Sequence, residues 1–330
     1  MERIPRVSRV EYLFAFLEGL NRKLSMEELA EVLGKCKLSF EEKKYKALGR
    51  GRPFISRTKF AESSAIKTVI AKSLVNECAC LAKKLGLINA ERNSLTDRGV
   101  HLIHFPEEKR LDKFAQLYVS AFKITKQILV KLNLEKNKEF LLPDYRHRKF
   151  KEFTNFISDH YGITVDVLSF IAIRDILWQL GYVNWYQYKM NGEPWFKVYL
   201  TSRLSEEKIP GYTLTFTFNS RIFYVKKNGT TMDSFLDALW TEYMERTNDV
   251  QYIPVLYSEL RNSVCYRLRI SDEIFDEFVR KILAEDKTTF RLIWSSGAVP
   301  YERDTLSLLK NLPALSQEGQ YMTYLLIGRK

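Results

Sequence analysis

Two hydrophobic periods alternate along this chain. From Val10 to Leu20 the apolar residues Val10, Leu13, Phe14, Leu17 and Leu20 recur at three- and four-residue steps, the spacing of a single stripe on a helix. Ser25 and Glu28 form a capping box ahead of Met26, Leu29, Val32 and Leu33, so a second short helix is expected, with Gly34 as its stop. Ser39 and Glu42 make another box, which predicts a third helix from Phe40 to Gly49. Ile66, Ile70, Leu74, Cys78, Leu81 and Leu85 then mark a long amphipathic helix entered through Ser63 or Ser64.

Past that helix the period changes. Leu85-Gly86-Leu87-Ile88, a mostly polar run to Ser94, and Leu95-Thr96-Asp97-Arg98-Gly99 read as strand, turn and strand. Residues 108–135 and 149–160 read as charged helices, with a boundary at Leu141-Leu142-Pro143-Asp144. An apolar helix over 165–180 leads into Leu180-Gly181-Tyr182-Val183, which repeats the earlier Leu-Gly pattern. Residues 184–190 and 195–201 flank Asn191-Gly192, the dipeptide that favours a two-residue hairpin turn. Strands follow at 212–218 and 221–227, joined at Asn219-Ser220. Helices are expected over 232–244, from Ile253-Pro254 to Arg267, and after Ile270-Ser271-Asp272, then strands at 289–294 and 321–327.

The run from Leu85 to Gly99 resembles the wing and closing helix cap of winged-helix domains, in which a helix leads through L-G-L-I into a hairpin ending in L-T-x-x-G. The resemblance covers about 90 residues, with one departure. A long insertion separates the helix ending at Leu33 from the one starting near Ile66, where a helix-turn-helix link has only a few residues. The fold class this implies is α+β, mainly α, with tandem winged-helix-like domains carrying short β-hairpin wings. The expected division is an N-terminal winged-helix-like domain with a basic insertion (1–107) and a helical linker region (108–160). A second winged-helix-like unit with an aromatic hairpin (161–205) follows, then a strand pair with a helix-turn-helix or winged-helix-like domain (206–330).

Charge gives this architecture a partner. There are 52 Lys and Arg against 40 Asp and Glu, a net +12 with pI ≈ 9.3, which attracts a phosphate backbone without specifying sequence. The segment 35–59 is the most basic; within it Arg50 and Arg52 sit among Gly49 and Gly51, followed by Arg57 and Lys59, as in an arm tracking phosphates or an ordinary surface loop. Lys72, Asn76 and Lys83 fall on the polar face of the long helix and suit a recognition helix, or a solvated face. Arg92 lies in the turn after it. Arg146, Arg148, Lys149 and Lys151 form a second basic cluster, either touching a backbone or belonging to a linker.

Two features point to proteins as partners. Trp185, Tyr186, Tyr188, Trp195, Phe196 and Tyr199 load both faces of the hairpin, more than one buried face requires, which makes one face a contact surface, for packing against the next domain or a protein partner, or for stacking on unpaired bases. Asp272, Glu273, Asp276 and Glu277 open the last helix with negative charge that should repel phosphate, which makes the C-terminal domain a protein contact or structural module.

Catalytic signatures are missing from the sequence. There is no G-x-x-x-x-G-K-[ST], no G-x-G-x-x-G and no G-x-S-x-G. His101-x-x-His104 lacks an acid and a third ligand, and Cys78-x-Cys80 would point its thiols about 200° apart on a helix. Cys36, Cys78, Cys80 and Cys265 suit reduced thiols of a cytoplasmic protein; the start of the chain does not read as a signal peptide, and no apolar run suggests a membrane span. The expectation is a non-enzymatic protein with no cofactor and no metal, binding nucleic acid and most simply double-stranded DNA. A winged-helix protein-interaction scaffold and a metal-dependent nuclease are the alternatives.

Overall fold

The computed structural model describes residues 4–7, 9–47, 64–89, 91, 94–145, 150–284, 290–295, 316–317, 320–321 and 324–329. It is mixed α and β, mainly helical, with small antiparallel sheets.

The chain opens with α1 (Val10–Asn21), α2 (Met26–Ala47) and α3 (Ser64–Lys84). The capping box forms as its residues dictate: Glu28 N donates to Ser25 Oγ at 3.3 Å, and Ser25 N donates to Glu28 Oε2 at 2.7 Å. Helix α2 does not stop at Gly34, nor restart at Ser39, but runs unbroken to Ala47. A helical glycine costs only about 1 kcal/mol, too little to end a helix by itself. Beyond α3 the antiparallel bridge Ile88↔Leu95 makes a minimal ribbon, closed by α4 (Asp97–His104) with Thr96 as its cap.

Helices α5 (Glu107–Ala121) and α6 (Lys123–Leu134) occupy the region expected to link domains. They are core elements: Phe114, Tyr118, Phe122, Leu129 and Leu132 are all buried. The presumed boundary is a strand, β1 (Glu139–Pro143), paired on one side only, with Pro143 at its end where a missing N–H does least harm. Next come α7 (Phe150–Tyr161), α8 (Val167–Gln179), β2 (Val183–Met190) and β3 (Glu193–Leu200), in a sheet ordered β1-β3-β2. Asn191 and Gly192 both take positive φ (53° and 81°) and hold Met190 opposite Glu193, as the Asn-Gly signal requires.

Strands β4 (Ser202–Ser205), β5 (Leu214–Phe218) and β6 (Arg221–Lys227) form a sheet ordered β4-β6-β5. Leu214, Phe216, Phe223 and Val225 belong to the same hydrophobic core as α1 to β3, so this sheet sits with the preceding elements and not with the C-terminal ones. Gln116 of α5 seals the edge of β5, donating to the Thr215 carbonyl (2.7 Å) and accepting from its N–H (3.1 Å).

A second, smaller core holds α9 (Met232–Thr247), β7 (Val255–Leu256), α10 (Tyr257–Leu268), α11 (Asp272–Ala284), β8 (Phe290–Ser295) and β11 (Tyr324–Arg329). Between the last two lie the short paired strands β9 (Ser316–Gln317) and β10 (Gln320–Tyr321). The sheet order is β7-β11-β8. The helix expected to open at Ile253-Pro254 begins only at Tyr257, after that short strand. The middle and C-terminal units therefore share one plan: helix, strand, helix, helix, strand, strand, with the third strand between the first two.

Two turns recur in equivalent places. Gly86 (φ +66°) and Gly181 (φ +73°) end α3 and α8 in the left-handed region open to glycine. Each is followed by a residue whose N–H reaches back five positions, Leu87 to Ala82 and Tyr182 to Leu177. Each glycine carbonyl then accepts a threonine hydroxyl at 2.8 Å, from Thr96 and Thr201 respectively. The repeated Leu-Gly pattern in the sequence is thus a repeated helix stop, locked by a Leu-Thr on the returning strand.

Candidate nucleic-acid interface

Helices α8, α11 and α3 differ in what they expose. In the middle unit, α8 is enclosed: Phe170, Ile173, Arg174, Ile176 and Leu177 are buried. Its end is pinned from two sides, because Gln179 Oε1 accepts from Val10 N (2.9 Å) and Trp178 Nε1 donates to Asp272 of α11 (3.1 Å). Helix α11 shows Glu273, Glu277, Arg280 and Lys281 to solvent, with Lys281 paired to Glu277 at 2.6 Å. Asp272 and Asp276 are not surface charges, as their spacing suggested, but buried partners of Arg261.

Helix α3 differs from both. Val75, Cys78, Leu81, Ala82 and Leu85 face inward, while Lys72, Asn76 and Lys83 are exposed. At 100° per residue, positions 72, 76 and 83 fall within about 40° on the helix wheel, one strip of two ammoniums and one amide. Lys84 leaves this strip and lies over the Phe122 ring, 5.4 Å from its centroid. These three residues are the part of the expected site that the structure brings onto one surface. Lys151 is exposed in the first turn of α7, on the middle unit. Arg50, Arg52, Arg57, Lys59, Arg92, Arg146, Arg148 and Lys149 lie outside the described residues.

More cations stand at the C-terminal end of α3. A Cβ on Gly86 would lie 3.4 Å from Arg98 Nη1, so this guanidinium rests against the helix stop. Arg98, His101, Leu102 and Phe105 of α4 and its C-cap face Lys113 and Leu117 of α5 across a groove of about 360 Å³. Arg98, His101 and Lys113 were not singled out from the sequence, because their proximity depends on two helices meeting. The only local signal is Arg98 in the first turn after the Thr96 cap.

The aromatic hairpin is occupied by the chain itself. Trp185 is buried, with the Arg174 guanidinium 3.6 Å above its ring. Tyr186 and Tyr199 meet Tyr266 of α10 edge-on at 5.8 and 5.2 Å. Burial pushes the Tyr186 and Tyr199 hydroxyls up from the ordinary tyrosine value. Glu139 of β1 ties the same contact, accepting from Tyr266 OH (2.7 Å) and Arg269 Nη2 (3.3 Å), with Lys197 Nζ at 3.7 Å. These rings pack edge-on against one another.

No group of His, Cys, Asp or Glu among the described residues could hold a metal ion, and no described helix is long and apolar enough to cross a membrane. Comparison of the chain with protein-family models, with curated proteins and with solved structures finds no match in any of the three.

Proposed function

We propose that the chain is a non-enzymatic nucleic-acid-binding protein of three winged-helix units, in which the first unit engages double-stranded DNA and the other two form its base. The observation that carries this reading is the outer strip of α3, where Lys72, Asn76 and Lys83 stand exposed on one face. An α-helix fits the major groove, lysines reach phosphates, and an asparagine amide matches the donor and acceptor pair of adenine. The equivalent helix of the middle unit is buried, and that of the third unit mixes Glu273 and Glu277 with its two cations.

The shared order of elements in the middle and third units, with the third strand between the first two, supports the winged-helix assignment. The first unit contributes three helices, a one-bridge ribbon and the closing helix α4. The net charge of +12 favours a polyanion in general. Arg50, Arg52, Arg57, Lys59 and Arg92, with the cluster from Arg146 to Lys151, add backbone affinity in this reading.

The test is binding of the full chain to a labelled duplex, to single-stranded DNA and to RNA at low salt. Tightest binding to the duplex supports the proposal. No retention on any of them, together with co-purification of a stable protein partner, replaces it with the scaffold reading.

A further inference from the structure

The groove between α4 and α5 has a composition that backbone binding does not explain. Its floor is Leu102, Phe105 and Leu117, and its rim is Arg98, His101 and Lys113. Among the described residues none of those three rim side chains makes an ion pair, and two charged groups of α5 are engaged elsewhere. Asp112 Oδ1 is held by Lys227 Nζ at 2.8 Å, and Arg110 Nη1 is turned to Glu18 Oε1 at 3.3 Å. The rim therefore keeps its positive charge around an apolar trough.

The volume, about 360 Å³, lies toward the small end of the range for small-molecule sites, roughly 300–1,000 Å³. Arginine and lysine supply donors only, so His101 is the one lining side chain able to accept a hydrogen bond. A nucleoside, sugar or amine would bring donors that find no partner here, and an unpaired buried donor costs affinity. A phosphate alone would leave the trough unfilled.

The geometry points to a binding site for a small monocarboxylate with an apolar ring or chain, its carboxylate on Arg98 and Lys113 and its body on Leu102, Phe105 and Leu117. This site is independent of the α3 strip and is tested without nucleic acid.

The measurement is a titration of the full-length protein, followed by NMR and calorimetry, with naphthoate, octanoate, the neutral naphthamide and inorganic phosphate. At least one carboxylate should saturate, with naphthoate against octanoate telling a ring from a chain. Naphthamide and phosphate should each bind at least about tenfold more weakly, the loss expected from removing one charge-assisted contact or the apolar contact. Arg98→Gln with Lys113→Gln, both exposed and so compatible with folding, should weaken carboxylate binding at least about tenfold. Phosphate binding as tightly as either carboxylate would overturn the assignment in favour of a bare anion patch. Saturation unchanged in the double variant, or no saturation by either carboxylate, would also overturn it.

Discussion

The Thr201 hydroxyl donates to the carbonyl of Gly181 at 2.8 Å, and Thr96 makes the same bond to Gly86 one unit earlier in the fold, at the end of α3. The two copies differ in burial: Thr201 is fully buried, whereas Thr96 is partly open to solvent. Thr201→Val strands a buried carbonyl and should cost about 1–3 kcal/mol, whereas at Thr96→Val water replaces the donor to Gly86 and the α4 cap bond from Gly99 N (3.2 Å) is lost, so about 0.5–2 kcal/mol is expected. Denaturant unfolding of the two variants checks the order, and a larger loss at Thr96 would show that the two locks are not equivalent.

The smaller core contains an ion network that should respond asymmetrically to mutation. Arg261 is wholly buried, with Nη1 3.2 Å from Asp276 Oδ2 and Nε 4.0 Å from Asp272 Oδ1, and Tyr257 OH donates to Asp276 at 2.6 Å. Burial pushes the Asp276 carboxyl up, against the pull of Arg261 and Tyr257. Arg261→Met leaves the carboxylates without their cation and should cost about 3–5 kcal/mol. Adding Asp276→Leu should recover part of that loss, since removing both members of a buried pair is much cheaper than removing one. Thermal unfolding of the single and double variants decides it: a double variant no more stable than the single one contradicts this account of the network.

Asp166 caps α8, and its effect should depend on pH. Its Oδ1 accepts from Ser169 N at 3.0 Å, and its Oδ2 accepts from Ser169 Oγ at 2.5 Å. Partial burial works to raise the carboxyl, but the Ser169 bonds, with help from Arg6, outweigh it and hold it below the usual aspartate value of 3.8. A carboxyl lowered in the folded state stabilises fully above its unfolded value and progressively less as pH falls through the folded one. Asp166→Ala should therefore cost about 1 kcal/mol at neutral pH, with the gap to wild type closing below about pH 4. Stability curves taken from neutral to acid pH measure this directly, and a gap that widens in acid would contradict it.

Much of this fold can be read from short local signals, because each acts within a few residues. The Ser25–Glu28 box, the Asn191-Gly192 turn and the Leu-Gly helix stops need no distant partner. The elements that sequence reading misplaces all depend on tertiary contact. Residues 139–143 are too few to show a strand period, and only pairing with β3 makes them one. Helix α2 crosses Gly34 in spite of its stop signal. Asp272 and Asp276, one turn apart, look like solvated charge until Arg261 of α10 is packed against them. At the candidate site the α3 strip is legible from helical periodicity alone. The groove at Arg98, His101 and Lys113 is not, since no single segment contains it.

Asn76 and the flanking lysines should separate specificity from affinity. An asparagine amide reads a base edge, whereas ammonium groups meet phosphates. Asn76→Ala should flatten the preference among duplex sequences and leave the salt dependence of binding unchanged. Selection of bound sequences from a random duplex pool, run with wild type and variant, gives the comparison; identical preferences would remove Asn76 from a base-reading role.

The most direct test of the α3 interface is the slope of log affinity for duplex DNA against log salt concentration. It should be measured for wild type, for Lys72→Gln with Lys83→Gln, and for Arg280→Gln with Lys281→Gln on α11. With about six phosphates neutralised, the wild-type slope should be roughly −5; losing two of them should flatten it by about 2 in the α3 variant, while the α11 variant keeps the wild-type slope. A wild-type slope near zero, or the same slope in all three proteins, contradicts the assignment of α3 as the DNA-facing helix.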